Sequence, residues 1–269
     1  GQSGVVFGYS DSQFYRDRGQ AFADVLAYGG FPGARGRRTD EGGGEVVVGQ
    51  EEARHQAGAW VVSGNYFQVL GVPMALGAGF GPGVRAGEES IREVVLSHGF
   101  WTRSMGSDPA ALDRDLYLNG SPFRVVGVAP REFRGVNLGE PVPDLFIPIL
   151  SADALSPGFQ RQLLRYQEDG SPSASRFLRL VARLEPGYDL ARAQGEATVL
   201  QAGWSEDFGS WAEAMYGGPY QIQVRGEYRR APFESQALRQ QLYFLWFVVG
   251  AVFLIGCANL AILLLATAA

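Results

Sequence analysis

The sequence predicts an α+β domain that is split by an inserted β-rich module and followed by one transmembrane helix. Three observations predict it. Strand and helix signals lie on either side of a central hairpin turning at Asn119-Gly120. FLRLVARL, Phe177 to Leu184, alternates cleanly and leads through EPG into an amphipathic helix. The run LYFLWFVVGAVFLIGCANLAILLLATAA, Leu242 to Ala269, contains no charged residue in 28 positions. A bilayer core needs roughly 20 apolar residues to cross it as a helix, so the run is long enough to span with some tilt. It contains no proline, so one unbroken helix satisfies its own backbone in lipid. Its position excludes a secretory signal, and its length argues against a central helix of a soluble bundle.

The elements follow in order along the chain. Ser10 or Asp11 caps a helix whose apolar residues Phe14, Tyr15, Phe22, Val25 and Leu26 recur at helical spacing, ending before Gly29-Gly30. After a loop rich in Gly and Arg, Val46 to Val48 and Trp60 to Val62 are short β-branched runs, and Asn65 to Leu70 turns helical. Gly77 to Gly83 is a flexible loop. EVVLS, Glu93 to Ser97, is a strand, Gly99 to Gly106 a helix, and Leu116 to Val128 the hairpin. Asn119 and Gly120 both tolerate positive φ, which such a turn requires. Leu145 to Leu150 is an edge strand because it carries Pro148. Gln160 to Ser175 is a mobile loop, Asp189 caps a helix through Gln201, and YQIQV, Tyr220 to Val224, is a last strand.

Composition limits the function. The 269 residues are 46% hydrophobic and 12% aromatic, enough for one or two packed cores. A net charge of −5 argues against nucleic acid, which calls for a basic face. The arginine clusters at Arg35, Arg37, Arg38 and at Arg229, Arg230 read as solvated loop charge. All 23 basic residues are arginine, so a GxxxxGK[ST] phosphate loop, a Schiff-base lysine and a serine/lysine nucleophile pair are excluded. Cys257, the one cysteine, lies inside the apolar run, leaving the polar part without a disulfide or a CxxC metal site. His55 and His98 are the two histidines and read as surface or satisfied-core residues. The chain opens on Gly1 rather than Met and reads as part of something longer.

No catalytic set emerges. GYSDS, Gly8 to Ser12, has Ser12 where a nucleophile elbow needs its last glycine. GAGFGPG, Gly77 to Gly83, gives no frame of GxGxxG. The acidic pairs Glu51-Glu52, Glu88-Glu89, Glu168-Asp169 and Glu206-Asp207 lie in loop or helix-surface contexts where solvation explains them.

Three blocks carry a resemblance. VSGNYFQVLGVPMALGAGF (Val62 to Phe80), VVLSHGFWTRSMGSDPAALDRDLYLNGSPFRVVGVAP (Val94 to Pro130) and LVARLEPGYDLARAQGEATVL (Leu180 to Leu200) resemble, in order, the periplasmic core domain of MacB-like, FtsX-type ABC transporter permeases. LWFVVGAVFLIGCANLAILLLATAA resembles the membrane helix that follows this domain in large, often duplicated permeases. Where the family commonly has GRxF, this chain has Gly77, Ala78, Gly79, Phe80. Trp204 to Gly218 matches no block.

The resemblance implies a mechanical role: an extracytoplasmic domain, itself non-catalytic, that couples ATPase-driven movement of membrane helices to export or signalling. It implies a porter-like subdomain from residues 1–85 and 172–232, an inserted β-rich module at 86–150, a linker at 151–171, and the transmembrane helix with its lead-in at 233–269. The matching motif residues Ser63, Gly64, Asn65, Tyr66, Phe67, Leu70, Gly71, Asn119, Gly120, Pro186 and Gly187 are expected to be structural. No cofactor is expected in this chain, because ATP is used by a partner subunit or domain. The implied partners are an ABC ATPase subunit, other permease helices in a dimer or an internally duplicated permease, and the lipid bilayer. The implied location is the bacterial inner membrane, with the polar part on the periplasmic side.

Two features bear on orientation and on helix packing. Arg225, Arg229, Arg230 and Arg239 precede the membrane run and by basic-residue counting would place that side in the cytoplasm, but long domains translocate largely regardless of charge. Within the run, Asn259 is strongly polar near mid-depth, and Gly250, Cys257 and Ala261 share another helix face. All four are expected to pack against other permease helices. A sensory or ligand-binding ectodomain anchored by one helix is the alternative reading, and a tethered enzyme a weaker third.

Overall fold

The computed structural model describes residues 7–30, 44–49, 54–81, 92–136, 141–156, 159 and 177–216, with 224, 226, 246, 249, 250 and 256; side chains on the last helix are described as far as residue 203. The chain divides into two units, Gly1–Arg225 and Gly226–Ala269. The first unit opens with α1 (Tyr9–Arg18), followed by β1 (Phe22–Gly30), β2 (Gly44–Val48), β3 (His55–Val62), α2 (Tyr66–Leu70) and β4 (Leu76–Gly77). Next come β5 (Glu93–Leu96), α3 (His98–Met105), β6 (Asp115–Leu118), β7 (Ser121–Val128) and β8 (Leu145–Pro148). A 3-10 turn (Ile149–Ala154), β9 (Arg179–Leu184) and α4 (Leu190–Tyr216) complete it.

The nine strands among the described residues form one sheet in the order β2-β6-β7-β5-β8-β3-β1-β9, with β4 beside β7. Because β3 also pairs with β2 over Gly44 to Val48, six of these strands close on themselves into a small barrel. β1 leaves the barrel at Tyr28↔Val62 and forms an antiparallel ribbon with β9 from Phe22↔Leu184 to Tyr28↔Arg179.

Side-chain parity divides the core. Ala57, Ala59 and Val61 of β3, Val94 and Leu96 of β5, and Leu145 and Ile147 of β8 fill the barrel. Their neighbours Trp60, Val62, Val95 and Phe146 point the other way, into a second cluster under α2. Successive residues on a strand face opposite sides, so strands buried on both faces read as continuous apolar runs. The ribbon divides likewise: Val25, Leu180 and Leu184 meet α1 and α4, while Leu26, Tyr28 and Val181 meet α2.

Three expectations differ from the structure. The helix expected through Leu26 ends at Arg18, and Phe22–Gly30 is a strand. A short run of buried apolar residues fits either period, and the buried positions Val25 to Gly29 belong to a strand covered on both faces. The cap of α1 is Gly8, whose N–H donates to Asp11 Oδ2 at 2.7 Å, rather than Ser10 or Asp11 itself. The strand at Leu145, expected at an edge, lies between β3 and β5. Pro148 is tolerated because it is the last residue of β8.

The helix expected from Asp189 to Gln201 begins where expected and runs further, and Gly77, expected in a loop, ends strand β4. Asp189 Oδ1 accepts the Arg192 N–H at 2.8 Å at the start of α4, which runs on to Tyr216 and so takes in Trp204 and Trp211. The expected loop 160–175 and the strand at Tyr220 to Val224 lie outside the described residues, apart from Val224 itself. Among the described residues no helix is long and apolar enough to cross a membrane. Of Leu242 to Ala269, only Trp246, Val249, Gly250 and Gly256 are described, all helical.

The hairpin turn has φ of 47° at Asn119 and 84° at Gly120. Asn119 also ties the turn down: its Oδ1 accepts the Val47 N–H at 2.9 Å and its Nδ2 donates to the Leu155 carbonyl at 3.2 Å. A Cβ on Gly120 would meet nothing within 4 Å, so Gly120→Ala tests backbone strain alone. It is expected to lower stability by about 1–2 kcal/mol in a urea titration followed by circular dichroism.

Candidate functional site

The motif SGNYF sits where β3 hands over to α2. Ser63 continues the β3 ladder, its N–H donating to the Ala27 carbonyl at 2.8 Å. Its hydroxyl accepts the Ala27 N–H at 3.0 Å and donates to Asn65 Oδ1 at 2.6 Å. Asn65 Nδ2 then donates to Asp24 Oδ1 at 2.8 Å and to the Val25 carbonyl at 3.1 Å. These bonds land where the β1–β9 register shifts between Phe22 and Asp24. The motif therefore staples the start of α2 to an irregularity in β1.

The other end of α2 is held by β9. Arg183 donates through Nε to the Val69 carbonyl at 3.0 Å, with Nη2 on the same oxygen. Gly71 follows in the left-handed region as the C-cap. Beneath the helix, Tyr66 and Phe67 lie among Phe133 and Phe146, with ring centroids 5.1–6.3 Å apart. One short helix thus touches β1, β3, β8 and β9, because the chain supplies a polar group at each end and aromatics between.

The segment after α2 folds back to make a cleft of about 160 Å³ lined by Phe67, Gln68, Val72, Met74, Ala78 and Phe80, with glycines at 64, 77 and 79. Gly77 is required where it stands: φ is 78°, and a Cβ would lie 2.4 Å from the Val126 carbonyl oxygen of β7. Beyond the cleft, burial pushes the Glu93 carboxyl above the usual carboxylate range, opposed by a bond from the Gly81 backbone and by the charge of Arg124.

The sequence-predicted residues separate into groups. Ser63, Gly64, Asn65, Tyr66, Phe67, Leu70 and Gly71 come together at this junction. Asn119 and Gly120 lie on the barrel at the β6–β7 turn, and Pro186-Gly187 form the turn between β9 and α4. Gly250 is helical, with open space around it, and Cys257, Asn259 and Ala261 lie outside the described residues. Asp24 and Arg183 were missed. Asp24 lies in none of the quoted blocks, and Arg183, although inside the block Leu180 to Leu200, was not singled out; only the β1–β9 register brings them to α2, and the alternation of RLVARL was the one available hint, since its parity places Arg183 with Val181.

The chemistry of the junction is polar bonding and packing. Among the described residues no group of His, Cys, Asp or Glu is arranged to hold a metal. His55 stacks on Phe100 with centroids 5.9 Å apart, and His98 meets Trp101 edge-on at 5.6 Å. Ser12 of GYSDS is inside α1, its hydroxyl donating to the Tyr9 carbonyl at 2.6 Å. Glu51-Glu52, Glu88-Glu89 and Glu168-Asp169 lie outside the described residues, and Glu206-Asp207 are described in their helical backbone alone.

Residues 4–200 match the family described as MacB-like periplasmic core domain. The periplasmic region of MacB from Actinobacillus actinomycetemcomitans is similar in structure, with a TM-score of 0.51 at 12% identity, covering 81% of this chain and 86% of that one. The extracellular domain of the ABC-type transporter YknZ from Gram-positive bacteria matches with a TM-score of 0.49 at 13% identity, over 82% of this chain and 90% of that one. No curated protein matches the sequence.

Proposed function

The chain belongs to the MacB-like periplasmic core domain family, and from that premise we propose that it couples ATP-driven movement of membrane helices to export or signalling outside the cytoplasm. It is the periplasmic domain of a MacB-like ABC transporter permease. The observation that carries the proposal is the family match over residues 4–200 followed by the uncharged run Leu242 to Ala269. That run is the membrane helix, and its Gly250, Cys257, Asn259 and Ala261 face other permease helices, in a dimer or a duplicated permease. An ABC ATPase binds the nucleotide, consistent with a chain that has no lysine for a phosphate loop.

The division of the domain follows the same reading. In this reading residues 1–85 and 172–232 form the porter-like part and 86–150 the inserted module, with β2 and β3 of the first stretch pairing to strands of the module in the barrel. The pairing of β1 with β9 and the packing of α1 with α4 in one apolar cluster support a part made from two distant stretches. Force entering through either stretch then reaches α2, which Asn65 anchors to β1 and Arg183 anchors to β9.

Topology tests the proposal. With residues 1–241 expressed behind an upstream membrane helix, protease added to spheroplasts is expected to digest the domain. Full protection, with a cytoplasmic marker equally intact and a periplasmic marker lost, would overturn the reading.

A further inference from the structure

The helix α4 seats on the domain through two buried alanines and, one turn on, the partly buried Leu200. Ala193 and Ala197, 0% and 2% exposed, face Tyr15, Ala21, Phe22 and Val25, whereas the larger Leu190 and Val199 are 46% and 72% exposed. Buried apolar area sets the strength of such a seat, and a methyl group contributes little of it. A polar contact supplements the packing. Glu196 Oε1 accepts the N–H of Gln20, and Oε2 accepts the N–H of Ala21 at 2.7 Å. One carboxylate therefore grips two successive amides in the turn between α1 and β1. Such bonds are charge-assisted and stronger than neutral ones.

The placement of this grip gives it a role. The turn at Gln20-Ala21 joins α1 to β1, while α4 carries the chain onward toward Leu242. We propose that Glu196 is a positioning residue, a latch that holds α4 against the α1–β1 turn and whose release frees α4 while the β1–β9 ribbon stays intact. Val25, Leu180 and Leu184 on one face of the ribbon meet α4, but the β1–β9 backbone pairs and the opposite face, Leu26, Tyr28 and Val181 in the cluster beneath α2, do not involve it. The proposal rests on the permease reading for what the movement is used for, and on the two backbone bonds for the latch itself.

Amide hydrogen exchange on the full chain in detergent tests it, comparing Glu196→Ala and Glu196→Gln with the unaltered protein. In Glu196→Ala, protection at Gln20, Ala21 and the first turns of α4 is expected to fall about tenfold, with Leu26 and Val181 in the ribbon unchanged. Glu196→Gln, which keeps one acceptor oxygen without the charge, is expected to lose less. A uniform fall that includes Leu26 and Val181 would mark Glu196 as a general stability residue and overturn the latch. Unchanged protection at Gln20 and Ala21 would overturn it equally. Neither result depends on the spheroplast digestion, so the latch and the permease reading fail separately.

Discussion

Phe146→Ala is expected to lower the unfolding free energy by about 3–5 kcal/mol, the range for emptying a fully buried aromatic site. Phe146 is 0% exposed and occupies the middle of β8, bonded through the ladder to β3 on one side and β5 on the other. Its ring lies 5.3 Å from Phe67, 5.9 Å from Tyr66 and 5.8 Å from Phe133. Truncation leaves a void between the barrel wall and α2 that two paired neighbours prevent from collapsing. The neighbouring Leu145 and Ile147 face the barrel interior and keep their contacts. The expected signature is therefore unequal: urea unfolding shifts to lower concentration, and hydrogen exchange in α2 accelerates more than in β5 or β7. Phe146→Leu, which keeps most of the apolar volume, is expected to cost less than half as much. A loss below about 1 kcal/mol for the alanine variant would mean that α2 is not seated on this ring.

How far the sequence could be read depended on whether local signals and the sheet agreed. The hairpin at Asn119-Gly120, the helix expected at Gly99 to Gly106 and the cap at Asp189 carry their instructions within a few residues, and the structure has each within a residue of its expected start, although Ser97 caps the helix instead of ending the strand. Phe22 to Gly30 carried none. Its burial on both faces removes the alternation that marks a strand, so a helical spacing could be traced through residues that are extended. Pro148 misled in the same way, because a proline's effect on a strand depends on whether it sits at the end or the middle, and that is decided by pairing with β3. At the α2 junction, SGNYF was legible as a block, but Asp24 and Arg183 were not. They are 41 and 114 residues from the atoms they bind, and nothing in their immediate neighbours specifies that distance.

Asn65→Ala should reveal how much of that junction is held by polar bonds rather than by packing. The amide makes three of them: it accepts the Ser63 hydroxyl and donates to Asp24 Oδ1 and the Val25 carbonyl. Removing it strands the hydroxyl of Ser63, which is 8% exposed, so the loss includes desolvation as well as the bonds. The expected cost is about 2–3 kcal/mol. Ser63→Ala breaks the same chain from the other side and also frees the Ala27 N–H. The two changes share a bond, and their double variant is expected to cost less than the sum, by about 0.5–2 kcal/mol. Asn65→Asp separates geometry from charge. It is nearly isosteric, but it puts a second carboxylate where an N–H now meets Asp24 at 2.8 Å. Two carboxylates at that distance cannot both ionise, so the pair is held protonated to a higher pH than in the unfolded chain. A carboxyl whose folded pKa is raised contributes stability at low pH and loses it as pH rises. Measured against the unaltered protein at each pH, Asn65→Asp is therefore expected to be most deficient at neutral pH and to recover as the solution is acidified. A deficit that stays constant with pH would show that the substituted side chain swings into solvent, and that packing of Tyr66 and Phe67, not the polar chain from Ser63 to Asp24, fixes α2 in place.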